Sequence, residues 1–428
     1  MIARSTLLAL SAALASACAG TTPSQPRHHL RAQLQYRILL GNLHSQTNHS
    51  DGGQPPDRCE HAEKPQHGAD GPAEAYAYAD QRAHLDFLLT SEHNHMYDGQ
   101  ANGTNKSATP DAALGLFHAG LDAAEQYRKA RPSFLALYGT EFGVIKNGGH
   151  INIINPDRLV TWEKNESGEL LGDLFVDKFD YAGLYAAMKE HNYLGQFNHP
   201  AGSQFRVNDQ PSAYTPEGDE VMVLCEVANA SAFSSSLTEA DNDLSEFGSH
   251  CDKLLLNGYH LAPASNQDNH CSNWGSSAKN RTGVLIPAGV PLSPSALWEA
   301  LRARRVFATA DKHSHIILRA GEHLMGERFQ HQGPLELEVE HGSGSGAAIK
   351  RLDIVRGRVE RSDHARGPRR VDGPEAAGGA VEVIGHEASM TVTPEAGTTF
   401  YYARILQEDG VKLWSAPVWV EVAPTDVR

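Results

Sequence analysis

The chain predicts an α/β protein, a closed or nearly closed barrel over residues 36–312 followed by a β-sandwich over 313–428. Three observations lead there. From Arg37 to about Asp311, short apolar runs alternate with segments of helical period, the pattern of βα units on a largely parallel sheet. After Asp311 the texture changes to short strand-like runs between Gly- and Pro-rich turns, as in a β-sandwich of about a hundred residues. Finally, imidazoles and carboxylates recur just past the ends of the apolar runs of the first segment.

Taken in order, the first strand ends in Ile38-Leu39-Leu40, and an Ala-rich helix starts at Pro72. Residues 85–90 form the next strand. A helix over 110–131 has Pro near its first turn and Leu114, Phe117, Leu121 and Ala124 along one face. Strands follow at 134–138 and 151–154, a helix at 181–191, and strands at 194–197, 221–227 and 261–264. Helices over 244–256 and 293–305 complete this part. The tail offers strands at 335–339, 349–355, 381–384, 390–393, 400–406 and 414–422. Trp414 and Trp419 in the last of these are expected to pack inward. Between Lys350 and Arg370 stand eight Lys or Arg, but Asp353, Glu360 and Asp363 interleave them, so a solvated loop is expected rather than a lipid contact.

At 428 residues, with 40% hydrophobic and 21% charged residues, the chain is that of an ordinary folded protein with room for two domains. A net charge of -15 with histidine neutral argues against nucleic-acid binding, which needs a basic footprint. The 23 histidines are the compositional oddity.

Residues 1–17 read as a signal peptide, with Arg4 as the positive region and an apolar stretch from Leu7 to Ala17 too short to span a bilayer. Ala15-Ser16-Ala17 fits a cleavage site. Cys18 follows as in a bacterial lipobox, although Ala15 stands where Leu is commonest. The expectation is a lipoprotein anchored in a membrane through Cys18, periplasmic or on the outer membrane, with residues 18–35 as a tether carrying Pro23 and Pro26. Simple cleavage into the periplasm is the alternative. Cys59, Cys225, Cys251 and Cys271 allow two disulfides in three pairings, and Cys271 lies beside a candidate ligand, so free thiols also remain open.

The chemistry concentrates in Gly41–Gly53, where His44, Gln46, His49 and Asp51 follow a strand end. Neutral imidazole and carboxylate oxygen both suit Zn, Mn or Fe. Glu92-His93, Glu141, Gly148-Gly149-His150, Asn198-His199-Pro200 and Asp268-Asn269-His270 repeat the placement. In a barrel the C-terminal strand ends share one rim, where such residues converge.

In order and spacing these motifs resemble the PHP-domain superfamily (polymerase and histidinol phosphatase), and within it the secreted metallohydrolase branch that includes carbaryl hydrolase, the CehA/McbA type. The likeness covers roughly residues 40–311. It extends to Tyr401-Tyr402-Ala403-Arg404 and Trp414-Ser415-Ala416-Pro417 in the tail. The family's first motif, HxH followed by Asp, falls on His44, Gln46 and Asp51, its acid-His pair on Glu92-His93, and its third motif on Glu141. Two isolated histidines match His150 and His199, and the last motif, DxH, is Asp268 and His270. The resemblance implies a distorted (β/α)7 barrel holding two or three divalent ions on His44, Gln46, Asp51, His93, Glu141, His150, His199, Asp268 and His270. Gln46 departs from the family pattern, since an amide oxygen is a poorer ligand than the imidazole usually found there.

The implied function is a metal-dependent hydrolase acting on a small ester through metal-activated water, with a phosphoric ester as first choice. A carboxyl-ester or carbamate hydrolase is the alternative, and a non-catalytic, metal-containing surface lipoprotein the third reading. Glu141 is expected to bridge ions, and Asp268 to bind metal or take the water proton. Arg281 and Arg206 are candidate clamps for a substrate anion. Trp274 and Asn269 are placed at the pocket mouth. The tail histidines (His313, His315, His323, His331, His341, His364, His386) read as surface groups, so the tail is expected to be a support covering part of the barrel or a partner-binding module, without chemistry.

Overall fold

A computed structural model of the chain describes residues 35–59, 68–100, 105–144, 148–241, 243–359 and 380–424. The expected signal peptide, Cys18, nearly all of the tether, and Glu360, Asp363 and His364 lie outside these residues. The protein is mixed α/β and rich in sheet. Nine strands build its first part: β1 (Tyr36–Asn42), β2 (Phe87–His93), β3 (Leu135–Val144), β4 (Gly149–Ile154), β5 (Leu194–Asn198), β6 (Met222–Asn229), β7 (Ala262–Asn266), β8 (Arg281–Pro287) and β9 (Val306–Thr309). They are hydrogen-bonded in the order β7-β6-β5-β4-β3-β2-β1-β8-β9.

The ladders β1/β2, β2/β3, β5/β6 and β6/β7 are parallel, whereas β3/β4, β4/β5, β1/β8 and β8/β9 are antiparallel. The expected largely parallel sheet is therefore corrected to a mixed one. The cause is local: β3 and β4 are joined by too few residues for a crossover helix, so they must form a hairpin. The sheet curls until β7 stands beside β8. Side chains make this junction: Thr282 Oγ1 accepts from the Ser265 amide at 2.9 Å and donates to Asn266 Oδ1 at 3.0 Å. Asn266 Oδ1 also accepts from the Leu43 amide at 2.8 Å, tying β7 to the chain just past β1.

Helices α1 (Pro72–Gln81), α2 (Pro110–Ala130), α3 (Tyr181–Glu190), α4 (Gly248–Leu256) and α5 (Pro294–Arg302) accompany these strands. The α2 helix starts where its sequence says: Thr109 caps the Ala112 amide at 3.2 Å, and Pro110 occupies the first turn. Its buried face is Ala113, Phe117, Gly120 and Ala124. At Gly120 a Cβ would meet the Tyr138 ring at 2.0 Å, so only glycine lets the helix lie this close to β3. The α4 helix begins later than expected, at Gly248.

Past Asp311 the main sheet continues, without a break, into strands from the end of the chain. Among β10 (His315–Ala320), β11 (Leu335–Gly342), β12 (Ile349–Arg358), β13 (Ser389–Val392), β14 (Gly397–Gln407), β15 (Lys412–Ser415) and β16 (Val418–Val422), it is β15 that pairs with β9, as Phe307↔Ser415 and Thr309↔Leu413. A second sheet runs β10-β11-β13 with a short partner at His323–Leu324. The strand expected over 414–422 is split into β15 and β16 at Ala416-Pro417. One apolar core joins Leu39, Phe87 and Val284 to Leu318, Leu337, Ile405 and Val420. Trp419 is fully buried, its ring 5.0 Å from that of His260.

Cys59 pairs with Cys271 and Cys225 with Cys251. Among the described residues, no helix is long and apolar enough to cross a membrane. Two tail histidines depart from the surface reading: His315 is buried near Glu340, and His341 contacts Gln407 of β14 at 2.9 Å, because both lie on strands of the second sheet, which packs on the same core as the main sheet.

Candidate metal centre

The strip after β1 is folded by Glu92 of β2. Its carboxylate accepts from the Thr47 amide at 3.0 Å, the Thr47 hydroxyl at 2.7 Å and the Ser50 hydroxyl at 2.6 Å. This bend turns His44, Gln46 and Asp51 inward, while His49 turns to the Tyr138 hydroxyl at 2.9 Å. Glu92, the acid of the acid-His pair, thus shapes the loop, and His93 beside it enters the site.

Three groups of side chains bring one ligand atom each to within 4.8 Å of one another: Asp51, His93 and His270; His93, Glu141 and His150; and His44, Glu141 and His199. Glu141, near the middle of β3, belongs to two of them. Its Oε2 lies 3.1 Å from His44 Nε2 and 3.5 Å from His93 Nδ1, and its Oε1 lies 2.8 Å from His150 Nδ1 and 3.6 Å from His199 Nε2. Asp268 joins through Oδ1, 3.0 Å from His44 Nε2. Eight of the nine expected ligands therefore meet in one place.

These groups fit divalent ions. Asp51 Oδ1, His93 Nδ1 and His150 Nδ1 are buried with no well-aligned hydrogen-bond partner, although ligand-type atoms crowd around them. Buried polar atoms are rarely left this way, and close but poorly aligned contacts are what ligands of one ion look like. The ion-pair partners of Asp51, Glu141 and Asp268 among the described residues are all histidines. Burial pushes the Glu141 carboxyl up, but His44, His150 and His93 outweigh it and hold the group well below the usual range. Burial pushes His270 down, yet Asp51 and Asp268 carry it up to about 10. The buried carboxylates favour protons on His44, His199 and His270, whose values are all raised, and divalent cations would displace those protons on binding. The backbone is strained at two of the candidate ligands, His199 (φ 27°) and Asp268 (φ 48°), a cost commonly found where side chains are held at functional sites.

Four expectations are corrected. Gln46 donates from Nε2 to Glu141 Oε2 at 2.7 Å, while its oxygen lies 3.0 Å from the Ser50 hydroxyl, so in this structure it meets the site as a donor and not as an oxygen ligand. Arg281 is fully buried and committed: its guanidinium donates to Glu239 Oε1 at 2.6 Å and to the carbonyls of Ala278, Asn280 and Gly275 at 2.8 to 2.9 Å. No part of it is left for a substrate anion. Trp274 and Asn269 are buried behind the site and not at its mouth: Trp274 donates to the Gln46 carbonyl at 2.9 Å, and the Asn269 carbonyl accepts from the Gln46 amide at 2.8 Å. Arg206 is exposed and donates to the Asp209 carbonyl in its own loop.

Polar residues inside apolar strands are what the sequence reading missed. Asn152 of β4 accepts from Asn198 at 2.8 Å, and Asn198 in turn donates to Glu141 Oε1 at 2.8 Å. Gln196 of β5 and Glu226 of β6 are buried beside them. The signal was an amide or carboxylate interrupting each apolar run. The walls are aromatic: Trp162 stacks on His95 at 5.2 Å, and Phe233 sits over His270 at 4.7 Å.

No family model matches the chain, and no curated protein matches it. Among solved structures, fibronectin(III)-like modules of Clostridium thermocellum CbhA align over 26% of this chain and 100% of their own, at 16% identity and a TM-score of 0.17. The soluble domain of PmoD from Methylocystis sp. aligns over 25% of this chain and 90% of its own, at 10% identity and a TM-score of 0.16. An engineered protein aligns over 90% of this chain and 100% of its own, at 10% identity and a TM-score of 0.17. Scores this low assign neither fold nor function.

Proposed function

We propose that the chain is a metal-dependent hydrolase of ester bonds, a PHP-type barrel with a β-sandwich tail. The observation that carries this reading is Glu141, one buried carboxylate with imidazole nitrogens on both oxygens, as a ligand shared between two ions requires. Asp51, His93 and His270 would hold a further ion. Bound divalent ions supply Lewis-acid charge and acidify water near neutral pH. The chain's own part is to hold them and to manage protons. Asp268 is the most exposed of the site carboxylates, its side chain 15% exposed, and its Oδ1 is placed to take the proton that attack on an ester releases. Asn198 fixes Glu141 from one side and Gln46 from the other. Trp162 and Phe233 keep bulk water from the imidazoles behind them.

A small phosphoric ester is the first substrate class. A carboxylic ester or carbamate is the second, favoured by the commitment of Arg281 to Glu239, which removes the guanidinium that a dianionic substrate would use. Attachment to a membrane through Cys18 belongs to the same reading. The test is to load purified protein with Mn, Zn or Fe and screen phosphomonoesters, phosphodiesters and carboxyl esters. Turnover that chelation abolishes supports the hydrolase, and the substrates turned over separate the two classes. Bound metal without turnover on any ester leaves a surface binding protein, and less than one ion per chain removes the metal centre itself.

A further inference from the structure

We propose that Glu226 is a positioning residue that aims two of the proposed ligands, His44 and His199, from a single carboxylate. This rests on the metallohydrolase reading and names a residue that the ligand motifs do not contain. Glu226 lies within β6, fully buried, and Cys225 next to it is tied to α4 by the disulfide to Cys251. The strand that carries the carboxylate is therefore braced from outside.

Each oxygen serves a different ligand. Oε1 lies 2.9 Å from His44 Nδ1 and accepts from Asn266 Nδ2 at 2.9 Å and Gln196 Nε2 at 3.4 Å. Oε2 accepts from the His199 backbone amide at 2.7 Å and from Asn229 Nδ2 at 3.3 Å. A carboxylate only accepts, so Nδ1 of His44 carries a proton, and a cation that displaced any other would be met by the Nε2 lone pair. That lone pair faces Glu141 Oε2 at 3.1 Å and Asp268 Oδ1 at 3.0 Å, where a cation would lie. With the opposite tautomer, Nε2 would carry a hydrogen and could not ligate. At His199 the bond holds the backbone, whose φ of 27° is one a non-glycine residue keeps only when its surroundings force it. The imidazole then reaches Glu141 Oε1 at 3.6 Å.

A second pair shows that such contacts need not serve a site. Asp219 accepts from the His260 backbone amide at 2.7 Å and lies 2.8 Å from His260 Nδ1, beside Trp419. That pair touches none of the proposed ligands, which makes Asp219→Asn a control for loss of a buried carboxylate.

The experiment compares the full-length wild type, Glu226→Gln and Asp219→Asn by competition of a zinc chelator, elemental analysis and thermal unfolding. Glutamine offers one acceptor oxygen where two are needed, so either His44 or the His199 amide faces an N–H. Zinc bound between His44 and Glu141 should weaken by about 10–100-fold in Glu226→Gln. Asp219→Asn should lose thermal stability yet keep wild-type affinity. Unchanged affinity in Glu226→Gln overturns the proposal, as does an equal loss in Asp219→Asn. If Glu226→Gln does not fold, nitrogen-15 spectra of zinc-loaded wild type decide: the His44 signal, assigned by its loss in His44→Gln, must carry its proton on Nδ1. A proton on Nε2 overturns the role of Glu226. Wild type that binds no zinc, manganese or iron takes down the metal reading, and the positioning role with it.

Discussion

Removing the Cys59–Cys271 disulfide should cost both stability and metal affinity, and the two losses have separate origins. The bond joins residues 212 apart in sequence. In the chain-entropy account, opening a loop of that length in the unfolded state lowers stability by about 5 kcal/mol, against about 3.5 kcal/mol for a loop the size of that closed by Cys225–Cys251. The second loss is local. Cys271 follows His270 directly, and Cys59 lies just beyond Asp51, so the disulfide clamps together the two strips that carry two of the three groups facing one ion. Among the described residues three backbone bonds also join these strips, Gln46 to the Asn269 carbonyl at 2.8 Å, Gln54 to the His270 carbonyl at 3.3 Å and Ser272 to the Gln54 carbonyl at 2.7 Å. The Cys59→Ala/Cys271→Ala variant, unfolded in guanidinium chloride against wild type, should lose about 3–5 kcal/mol. Its weakest-bound zinc should dissociate first under chelator. A variant with the wild-type midpoint and unchanged zinc release would refute the reasoning, because the backbone bonds between the strips would then hold them without the disulfide.

Gln46→His should raise the number or affinity of bound ions by elemental analysis and chelator titration, since an imidazole would replace an amide that donates to Glu141; unchanged stoichiometry and affinity would mean that position 46 is not where an ion is missing. Arg281→Met should destabilise by about 3–5 kcal/mol, because it breaks a buried pair with Glu239 and removes the donor to the Asn280 and Gly275 carbonyls, although Lys312 stays on Glu239 and Gln267 on the Ala278 carbonyl, while turnover below the unfolding range stays within about twofold. A loss of turnover at unchanged stability would return Arg281 to substrate binding. For Asp219, burial pushes the carboxyl up, but the His260 ring, the His260 amide and Arg304 outweigh it and hold it below the ordinary value. Its contribution is thus present above pH of about 4 and lost as pH falls through the lower folded-state value. The gap in melting temperature between wild type and Asp219→Asn should be widest near neutrality and close in acid. A gap that stays constant to pH of about 2 would contradict the pairing.

What could be read from the residues follows how locally each feature is determined. Ligand types at strand ends are local facts, and His44, Asp51, His93, Glu141, His150, His199, Asp268 and His270 do converge. The Pro110 helix start was equally local. Arg281 was misread because its partners, Glu239 and the carbonyls around Ala278, meet it only in the folded loop. Gln46 shows the same limit: the sequence gives the amide, but Ser50 and Glu141 decide which end faces inward. The antiparallel β3/β4 pair was within reach, since the short Gly148-Gly149 connection leaves no room for a crossover. Glu226 was visible too, as the one acid within the apolar run of β6.

The pairing of β9 with β15 also bears on how the chain comes to be built. A growing polypeptide that has reached only the end of β9 presents that strand as an open edge, with its amides and carbonyls unpaired. The partner arrives about a hundred residues later, and the core shared by Val284, Ile405 and Val420 closes only then. Completion must therefore wait until residues 412–422 have been made, and a product interrupted before them carries an adhesive edge instead of a finished fold. The last strands act as a seal on the sheet that carries the candidate site, so cutting the molecule at Asp311 would leave an aggregating fragment and not a smaller folded unit.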